Sequence, residues 1–155
     1  MVMFWKKEEK VITDPDRVEE LLTRNIEETF ITEDLRKDLL SGKQLRVKFG
    51  VDPTGPLIHI GRAVVLWKLR EFQKLGHKIV FIIGDFTAQI GDPSDKLNKR
   101  PMLKKEQVLE NLKHYKEQLG KIIDLSKVEF HHNSSWLESL TFKDTCELAD
   151  SFSVS

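Results

Sequence analysis

The run from 47 to 62 constrains the fold of this chain most. Its apolar start predicts a β-strand, its Pro and Gly residues predict a loop, and its end predicts a helix that starts near His59. A helix N-terminus offers unpaired backbone N–H groups and the positive end of a dipole, so anions bind there. Thr54, His59 and Arg62 add a hydroxyl, an imidazole and a guanidinium at the same junction. The run therefore predicts a strand–loop–helix unit that holds a polyphosphate.

Strand and helix patterns alternate along the chain. The apolar run at 78–83 is nearly continuous, which is typical of a parallel strand buried on both faces. We predict strands at 45–49, 78–83 and 128–132, and helices at 17–22, 32–40, 63–75, after Pro101 and at 137–149. Such alternation indicates an α/β protein with a parallel sheet, right-handed crossovers and ligands at the carboxyl ends of the strands. Three loops begin at those ends, at 50–61, 84–95 and 131–136.

The sequence also marks several helix ends. Thr32 is expected to cap the second helix, and Gly42 and Gly76 are expected to end the second and third helices. The helix after Pro101 has the clearest period, because its apolar residues step by four and three positions along one face. These residues are Val108, Leu112, Tyr115, Leu119 and Ile122.

The bulk composition excludes some classes of function. Lysine and arginine number 25 and aspartate and glutamate 25, and this balance argues against a histone-like nucleic-acid binder. The single cysteine, Cys146, cannot form an internal disulfide, which fits a reducing cytoplasm. No apolar stretch is long enough to span a membrane, and charged residues follow the apolar residues 1–5 at once. The length of 155 residues suits one domain with a substantial core.

Four ordered segments resemble one enzyme family. The His-Ile-Gly-Arg string at 59–62 stands where class I aminoacyl-tRNA synthetases carry His-Ile/Leu-Gly-His. The segments at 70–77, 83–94 and 133–137 resemble those of tyrosyl-tRNA synthetases in content and order. The likeness covers roughly residues 30–155, and four matches in order are far more specific than the first string alone.

This resemblance implies the fold, the reaction and the partners. Residues 1–44 would form an N-terminal helical segment, and residues 45–155 the first part of a Rossmann-like, nucleotide-binding catalytic domain. The implied enzyme is a tyrosine–tRNA ligase, which activates L-tyrosine with ATP to tyrosyl-adenylate, releases pyrophosphate and transfers the tyrosine to tRNA(Tyr). Mg²⁺ would accompany the ATP, with no metal site of the protein's own. The full-length protein would be a cytoplasmic homodimer without membrane contact.

The resemblance also implies roles for single residues. The phosphates would be held, and the catalysis carried, by Thr54, His59, Arg62, Lys96 and Arg100. ATP binding would involve Gly50, Asp52, Thr54, His59, Gly61 and Arg62. The amino-acid pocket would be lined by Lys48, Thr87, Asp92 and Asn133. Asp92 would contact the ammonium group of the substrate, and Gly61 would let adenosine approach the helix backbone.

Three residues depart from the family pattern. Arg62 replaces a histidine, and arginine is always charged and donates from a planar fork. Asp95 replaces a glycine in the loop that would fold over pyrophosphate, so this loop would be stiffer or less favourable to anions. Lys48 replaces a tyrosine that contacts the substrate phenol in the better-known branch of the family. Other groups must then read that phenol.

The family's second half is missing from the sequence, and two other functions remain as alternatives. No Lys-Met-Ser-Lys-Ser loop occurs, so we expect the N-terminal part of a longer synthetase. A small nucleotidyltransferase also begins a helix with His-x-Gly-His, but its motif normally lies nearer the N-terminus and its Ser-Ser-Thr-x-x-Arg loop is missing here. A non-catalytic RNA-binding fragment would use the five cations between 96 and 105, although no aromatic residues alternate with them for base stacking.

Several conspicuous residues have ordinary structural explanations. Trp67 and Phe72 lie at helical spacing and are expected in the core. His131 and His132 lack a second pair of ligands at metal spacing and are expected to end a strand. Cys146 has no obvious base partner and is expected to be a small buried residue.

Overall fold

The computed structural model of this chain describes residues 10–90 and 102–152. In chain order its elements are α1 (Pro15–Thr23), α2 (Thr32–Leu40), β1 (Arg46–Val51), α3 (Ile60–Lys74), β2 (Lys78–Ile83), α4 (Thr87–Ile90), α5 (Lys105–Leu119), a 3₁₀ turn (Leu125–Lys127), β3 (Val128–His132), α6 (Ser134–Leu137) and α7 (Phe142–Asp150). Within these ranges, no helix has the length and apolar character that crossing a membrane requires.

The three strands form one parallel sheet in the order β1-β2-β3. The Lys78 amide donates to the Leu45 carbonyl and the Gly84 amide donates to the Val51 carbonyl, each at 2.9 Å. Both partners advance together along their strands, which defines parallel pairing. The central strand β2 is buried along most of its length, as its continuous apolar run predicts. The predicted α/β fold with a parallel sheet and flanking helices is therefore confirmed.

The described residues fall into two compact units, and each strand passes from the first unit into the second. Unit 1 contains residues 10–49, 58–80 and 118–129. Unit 2 contains residues 50–57, 81–90, 102–117 and 130–152. The carboxyl end of each strand, where the sequence predicts a ligand site, therefore belongs to unit 2.

Unit 1 is built on an apolar cluster that α1 and α2 share with the end of α3. Its buried members are Val18, Leu21, Leu22, Leu39 and Leu75. The Asp14 side chain begins α1 by accepting a hydrogen bond from the Arg17 amide at 2.9 Å. At the other end of α1, the Lys68 ammonium donates to the carbonyls of Leu21 and Arg24 at 3.0 and 2.9 Å. The predicted helix at 17–22 lies within α1 and is fixed at both ends.

Gly42 and Gly76 end their helices as predicted, but the prediction that Thr32 caps α2 is wrong. Gly42 and Gly76 follow α2 and α3 with φ of 79° and 91°, a left-handed backbone that favours glycine. Ile31, also left-handed at φ 54°, caps α2 instead of Thr32. Thr32 is already the first helical residue, and its hydroxyl donates backwards to the Thr29 carbonyl at 3.0 Å. A hydroxyl turned this way cannot cap the amides that follow it.

Two helix predictions need correction at their ends. Four of the five apolar residues predicted to lie along one face of this helix are buried. However, α5 ends at Leu119, so the fifth, Ile122, lies beyond the helix. Ile123 is buried instead of Ile122. The helix predicted at 137–149 is two helices. Thr141 and Asp144 form a capping box, in which the Thr141 amide donates to the Asp144 carboxylate at 2.7 Å and the Asp144 amide donates to the Thr141 hydroxyl at 3.2 Å. Such a box begins a new helix, α7.

Two of the expected core residues are exposed. Trp67 is 52% exposed on α3, where the Arg70 guanidinium lies 5.1 Å from its ring centroid. This cation–π contact occupies the ring without burying it. Phe72 does pack against the unit 1 cluster, as predicted. Cys146 is exposed on α7 rather than buried. The prediction that β3 ends at His131 and His132 is confirmed.

His77 is a buried histidine that joins β1 to the end of α3 in unit 1. It is only 3% exposed, and its Nδ1 accepts a hydrogen bond from the Leu45 amide at 3.2 Å. Because Nδ1 is an acceptor, the proton of the neutral ring lies on Nε2. That atom is buried and has no hydrogen-bond partner among the described residues. Burial lowers the pKa of His77 below its usual value of 6.5.

We predict that His77 makes the folded chain sensitive to acid. The unfolded chain binds a proton near pH 6.5, whereas the folded chain binds it only at a lower pH, so stability is complete above pH 6.5 and falls as the pH drops below it. The loss approaches about 1.4 kcal/mol per pH unit until the lowered pKa is reached. Urea unfolding between pH 5 and 8 should show this slope, and His77→Gln should remove it.

The exposed histidine His114 supplies the control for this measurement. His114→Gln changes a side chain on the outer face of α5 that is 51% exposed. We expect it to leave the slope below pH 6.5 in place. A slope that persists in His77→Gln and disappears in His114→Gln would show that another group titrates.

Candidate active site

The carboxyl ends of β2 and β3 meet at Asn133 in unit 2. Asn133 directly follows β3 and is 7% exposed. Its backbone amide donates to the carbonyl of Ile83, the last residue of β2, at 2.9 Å. Parallel pairing thus delivers the predicted residue Asn133 to the start of the 84–90 segment.

The Asn133 side chain begins a chain of hydrogen bonds that crosses the strand ends. Its Oδ1 accepts from the Phe86 amide and its Nδ2 donates to the Thr87 hydroxyl, both at 2.9 Å. The Thr87 hydroxyl in turn donates to Oδ1 of Asp52 at 2.8 Å. A carboxylate only accepts, so it fixes the direction of every bond in the chain. Three predicted site residues are therefore linked, with Thr87 hydrogen-bonded to both Asn133 and Asp52.

Gly84 leaves the space that this contact needs. A Cβ atom on Gly84 would lie 1.7 Å from Oδ1 of Asp52 and 2.4 Å from the hydroxyl of Thr87. Its φ is not in the left-handed region, so the requirement is room and not backbone conformation. The position directly after β2 must therefore be glycine if Asp52 and Thr87 are to meet there.

Asp85 is a largely buried acid that holds the 132–134 segment, and the sequence did not predict it. Its carboxylate accepts from the Ser134 amide at 3.0 Å, the Ser134 hydroxyl at 2.8 Å and Nδ1 of His132 at 2.9 Å. Burial raises the pKa of Asp85, but the hydrogen bonds from Ser134 and His132 outweigh burial and place the pKa below its usual value. The available signal was an acid two positions after a buried strand, but its partners are 47 and 49 positions away.

The loop after β1 is held by α5. The Pro53 side chain is buried, and its carbonyl accepts from Nδ2 of Asn111 at 3.0 Å. The Thr54 amide donates to the Asp52 carbonyl at 2.8 Å, which closes a tight turn. Thr54 is half-buried behind this turn. Asn111, another residue without a sequence signal, therefore fixes the backbone on which two predicted site residues sit.

In unit 1, the predicted start of the α3 helix near His59 is confirmed. His59 is the N-cap of α3, its imidazole is exposed and makes no capping hydrogen bond, and its carbonyl accepts from the amides of Arg62 and Ala63 at 3.0 and 3.1 Å. A Cβ atom on Gly61 would lie 3.2 Å from Cε1 and Nδ1 of His59. A side chain at position 61 would therefore press on the His59 ring in its present position. Arg62 is half-buried on the first turn of α3.

The remaining predicted residues fall into two groups. Lys48 and Gly50 lie on the exposed face of β1. Asp92, Lys96 and Arg100 lie outside the described residues. So does Asp95, which departs from the family pattern. Within residues 10–90 and 102–152, no group of His, Cys, Asp and Glu side chains has the arrangement of a metal site.

A cleft in unit 1 is separate from every predicted site residue. It is lined by Arg17, Glu20, Leu21, Arg24, Glu71, Lys74 and Leu75. Its walls carry charges of both signs, and none of these lining residues is a predicted site residue. The polar network at the strand ends, and not this cleft, is the candidate active site.

We predict that Gly84→Ala breaks the contact between Asp52 and Thr87. The added methyl would force the Asp52 side chain to rotate away, and the free energy of unfolding should fall by about 1–3 kcal/mol. Chemical denaturation measures this loss. Gly55→Ala is the matched control, because a Cβ atom at Gly55 meets nothing within 4 Å. Equal stability of the two variants would contradict the steric role of Gly84.

Comparisons with known proteins assign the family. The family model described as "tRNA synthetases class I (W and Y)" matches residues 40–155. The tyrosine–tRNA ligase of Carboxydothermus hydrogenoformans is 53% identical over 129 residues, which are 83% of this chain and 31% of that protein. The enzyme of the same name from Thermotoga maritima is 50% identical over 140 residues, which are 90% of this chain and 35% of that protein. The chain thus spans about a third of the length of these relatives.

Solved structures agree with the fold. The tyrosyl-tRNA synthetase of Archaeoglobus fulgidus, complexed with L-tyrosine, has a TM-score of 0.69 at 22% identity and is matched over 88% of this chain and 40% of that one. The synthetase of Pyrococcus horikoshii, also with L-tyrosine, has a TM-score of 0.62 at 29% identity, over 81% of this chain and 34% of that one. By the match that runs from residue 40 to residue 155, this chain belongs to the class I tRNA synthetase family for W and Y.

Proposed function

We propose that this chain carries the ATP- and tyrosine-binding part of a tyrosine–tRNA ligase. The complete enzyme would join L-tyrosine to ATP, release pyrophosphate and pass the tyrosyl group to tRNA(Tyr). The names of the relatives at about 50% identity support this substrate. The observation that carries the proposal is the hydrogen-bond chain from Asn133 through Thr87 to Asp52 at the strand ends.

The chemistry asks for alignment and positive charge rather than for a base. The substrate carboxylate is already an anion and attacks the α-phosphorus of ATP, so no proton has to be removed. Holding the two anions in line is worth about 7–11 kcal/mol of the barrier. Each donor placed on the developing phosphate charge adds roughly 3–4 kcal/mol. The residues proposed for catalysis are accordingly donors and cations.

On the ATP side, the proposal uses the two ends of the loop between β1 and α3. Thr54 and His59 would donate to the β- and γ-phosphates, and Arg62 would add charge from the first turn of α3. The exposed His59 ring, which makes no capping bond, supports this role. Gly50, Asp52 and Gly61 would border the nucleotide. Lys96 and Arg100 would close over pyrophosphate, and Mg²⁺ would arrive with the ATP.

On the amino-acid side, Thr87 and Asn133 would line the tyrosine pocket. Their mutual hydrogen bond and the burial of Asn133 support a rigid wall there. Asp92 would bind the substrate ammonium group, and Lys48 would stand at the pocket where the better-known branch has a tyrosine. We further propose that residues 45–155 form the first part of the catalytic domain, after a helical segment at 1–44, in a cytoplasmic homodimer.

We predict that His59→Asn lowers the rate of tyrosine-dependent exchange of pyrophosphate into ATP about 100-fold. The loss of one donor to transition-state charge accounts for a factor of this size. The exchange assay would be run on the 155-residue chain with tyrosine and with each other amino acid in turn. Tyrosine-specific exchange would support both the substrate and the phosphate site.

A second histidine gives the control for that assay. His114→Asn alters an exposed side chain on α5 that lies outside the proposed site, and we expect it to keep the parental rate. A folded chain that exchanges with another amino acid, or equal rates in His59→Asn and His114→Asn, would contradict the proposal. A folded chain with no exchange at all would show that these residues do not suffice for activation.

We predict that Arg62→Ala weakens ATP binding about tenfold and leaves tyrosine binding unchanged. The variant would lack the charge-assisted contact between the Arg62 guanidinium and phosphate, and such contacts contribute about 1.5–3 kcal/mol. Isothermal titration with each ligand separately would measure the two affinities. Arg70→Ala is matched, since Arg70 lies on the same helix and stacks on Trp67. Equal losses of ATP affinity in both variants would assign the effect to helix charge in general.

A further inference from the structure

We propose that Asp85 is a positioning residue, which holds Asn133 and Thr87 in the arrangement that binds the amino acid. This inference rests on the proposed function for the identity of the ligand. Asp85 itself lies one position before Phe86 and two before Thr87, and it contacts the residues on either side of Asn133. It acts through these neighbours and has no proposed contact with substrate.

The contacts alternate between two short segments, 85–87 and 132–134. The Asp85 carboxylate accepts from His132 Nδ1 and from both the amide and the hydroxyl of Ser134. Between these two anchors, the Asn133 side chain bonds Phe86 and Thr87 of the same segment. Each segment therefore holds the other, and the hydrogen bonds of Asp85 flank Asn133, whose side-chain amide is proposed to line the tyrosine pocket.

The carboxylate is suited to this role by its surroundings. Its side chain is 13% exposed, and three donors satisfy its two oxygens. Hydrogen bonds to a charged acceptor are stronger than neutral ones and fix geometry more tightly. The groups that act on Asp85 are His132, through its hydrogen bond, and, at longer range, the ammonium group of Lys105 from the start of α5. Both favour the ionised form.

Asp85→Asn is the direct test, because it keeps the size of the side chain and removes the charge. An amide offers one acceptor oxygen in place of two, so it cannot accept from His132 and from both groups of Ser134 as the carboxylate does. We expect the side-chain amide of Asn133 to lose its fixed orientation. The hydrogen-exchange protection factors of the Phe86 and Asn133 backbone amides should then fall at least about tenfold. The dissociation constant for L-tyrosine should rise about tenfold, and that for ATP should stay within about twofold.

Asp124→Asn is a closely matched control. The Asp124 carboxylate also accepts from the amide and hydroxyl of one serine, Ser126, at 3.1 and 2.7 Å, but in unit 1. We expect it to leave both protection factors and the tyrosine affinity unchanged. A purely structural role for Asp85 would instead weaken tyrosine and ATP binding together, in proportion to the lost stability.

The two readouts separate this inference from the proposed function. Unchanged protection at Phe86 and Asn133 in Asp85→Asn would overturn the positioning role, whatever the ligand. Equal tyrosine affinity of Asp85→Asn and the parent chain would overturn it as well. If the parent chain binds no tyrosine while Asp85→Asn still loses protection, the proposed substrate fails and the coupling of Asp85 to Asn133 stands.

Discussion

A buried side-chain amide at Asn133 ties the ends of the sheet together. The Asn133 backbone pairs with β2, while its side chain satisfies the Phe86 amide and the Thr87 hydroxyl beyond the end of that strand. A buried donor that loses its partner costs about 1–3 kcal/mol. Displacement of the Asn133 side chain would therefore leave the Phe86 amide unsatisfied and would remove the donor that fixes the Thr87 hydroxyl. The geometry of the proposed pocket thus depends on one residue that is placed by strand pairing.

Much of this arrangement follows from the sequence, because strand pairing is encoded in apolar periods. The continuous run of β2 and its neighbours predicts a parallel sheet, and a parallel sheet collects the ends of its strands at one edge. Thr87 and Asn133 were predicted from likeness to a family, and the fold brings them within one hydrogen bond. Asp85 and Asn111 could not be predicted in this way. Their partners lie 47 to 58 positions away along the chain, and no local pattern encodes such a contact.

The failed expectations have local causes that a period cannot show. A threonine hydroxyl can turn forwards to cap a helix or backwards to a carbonyl, and Thr32 turns backwards. Trp67 has the spacing of a core residue, but it is half exposed and its ring contacts the Arg70 guanidinium. The pattern at 137–149 reads as one helix, whereas the capping box of Thr141 and Asp144 divides it. At Thr32 and at Thr141, local polar contacts decide between two conformations of similar propensity.

The glycines of this chain serve two physical purposes that sequence alone does not distinguish. Gly42 and Gly76 adopt left-handed backbone and end helices, so a side chain there would strain the chain itself. Gly61 and Gly84 have ordinary backbone, and a side chain there would instead press on His59 or on Asp52 and Thr87. The second pair therefore lies beside residues proposed for chemistry, and the first pair beside the helix ends that build the scaffold. At Gly61 and Gly84 it is thus the space beside residues proposed for chemistry, and not the backbone conformation, that a side chain would disturb.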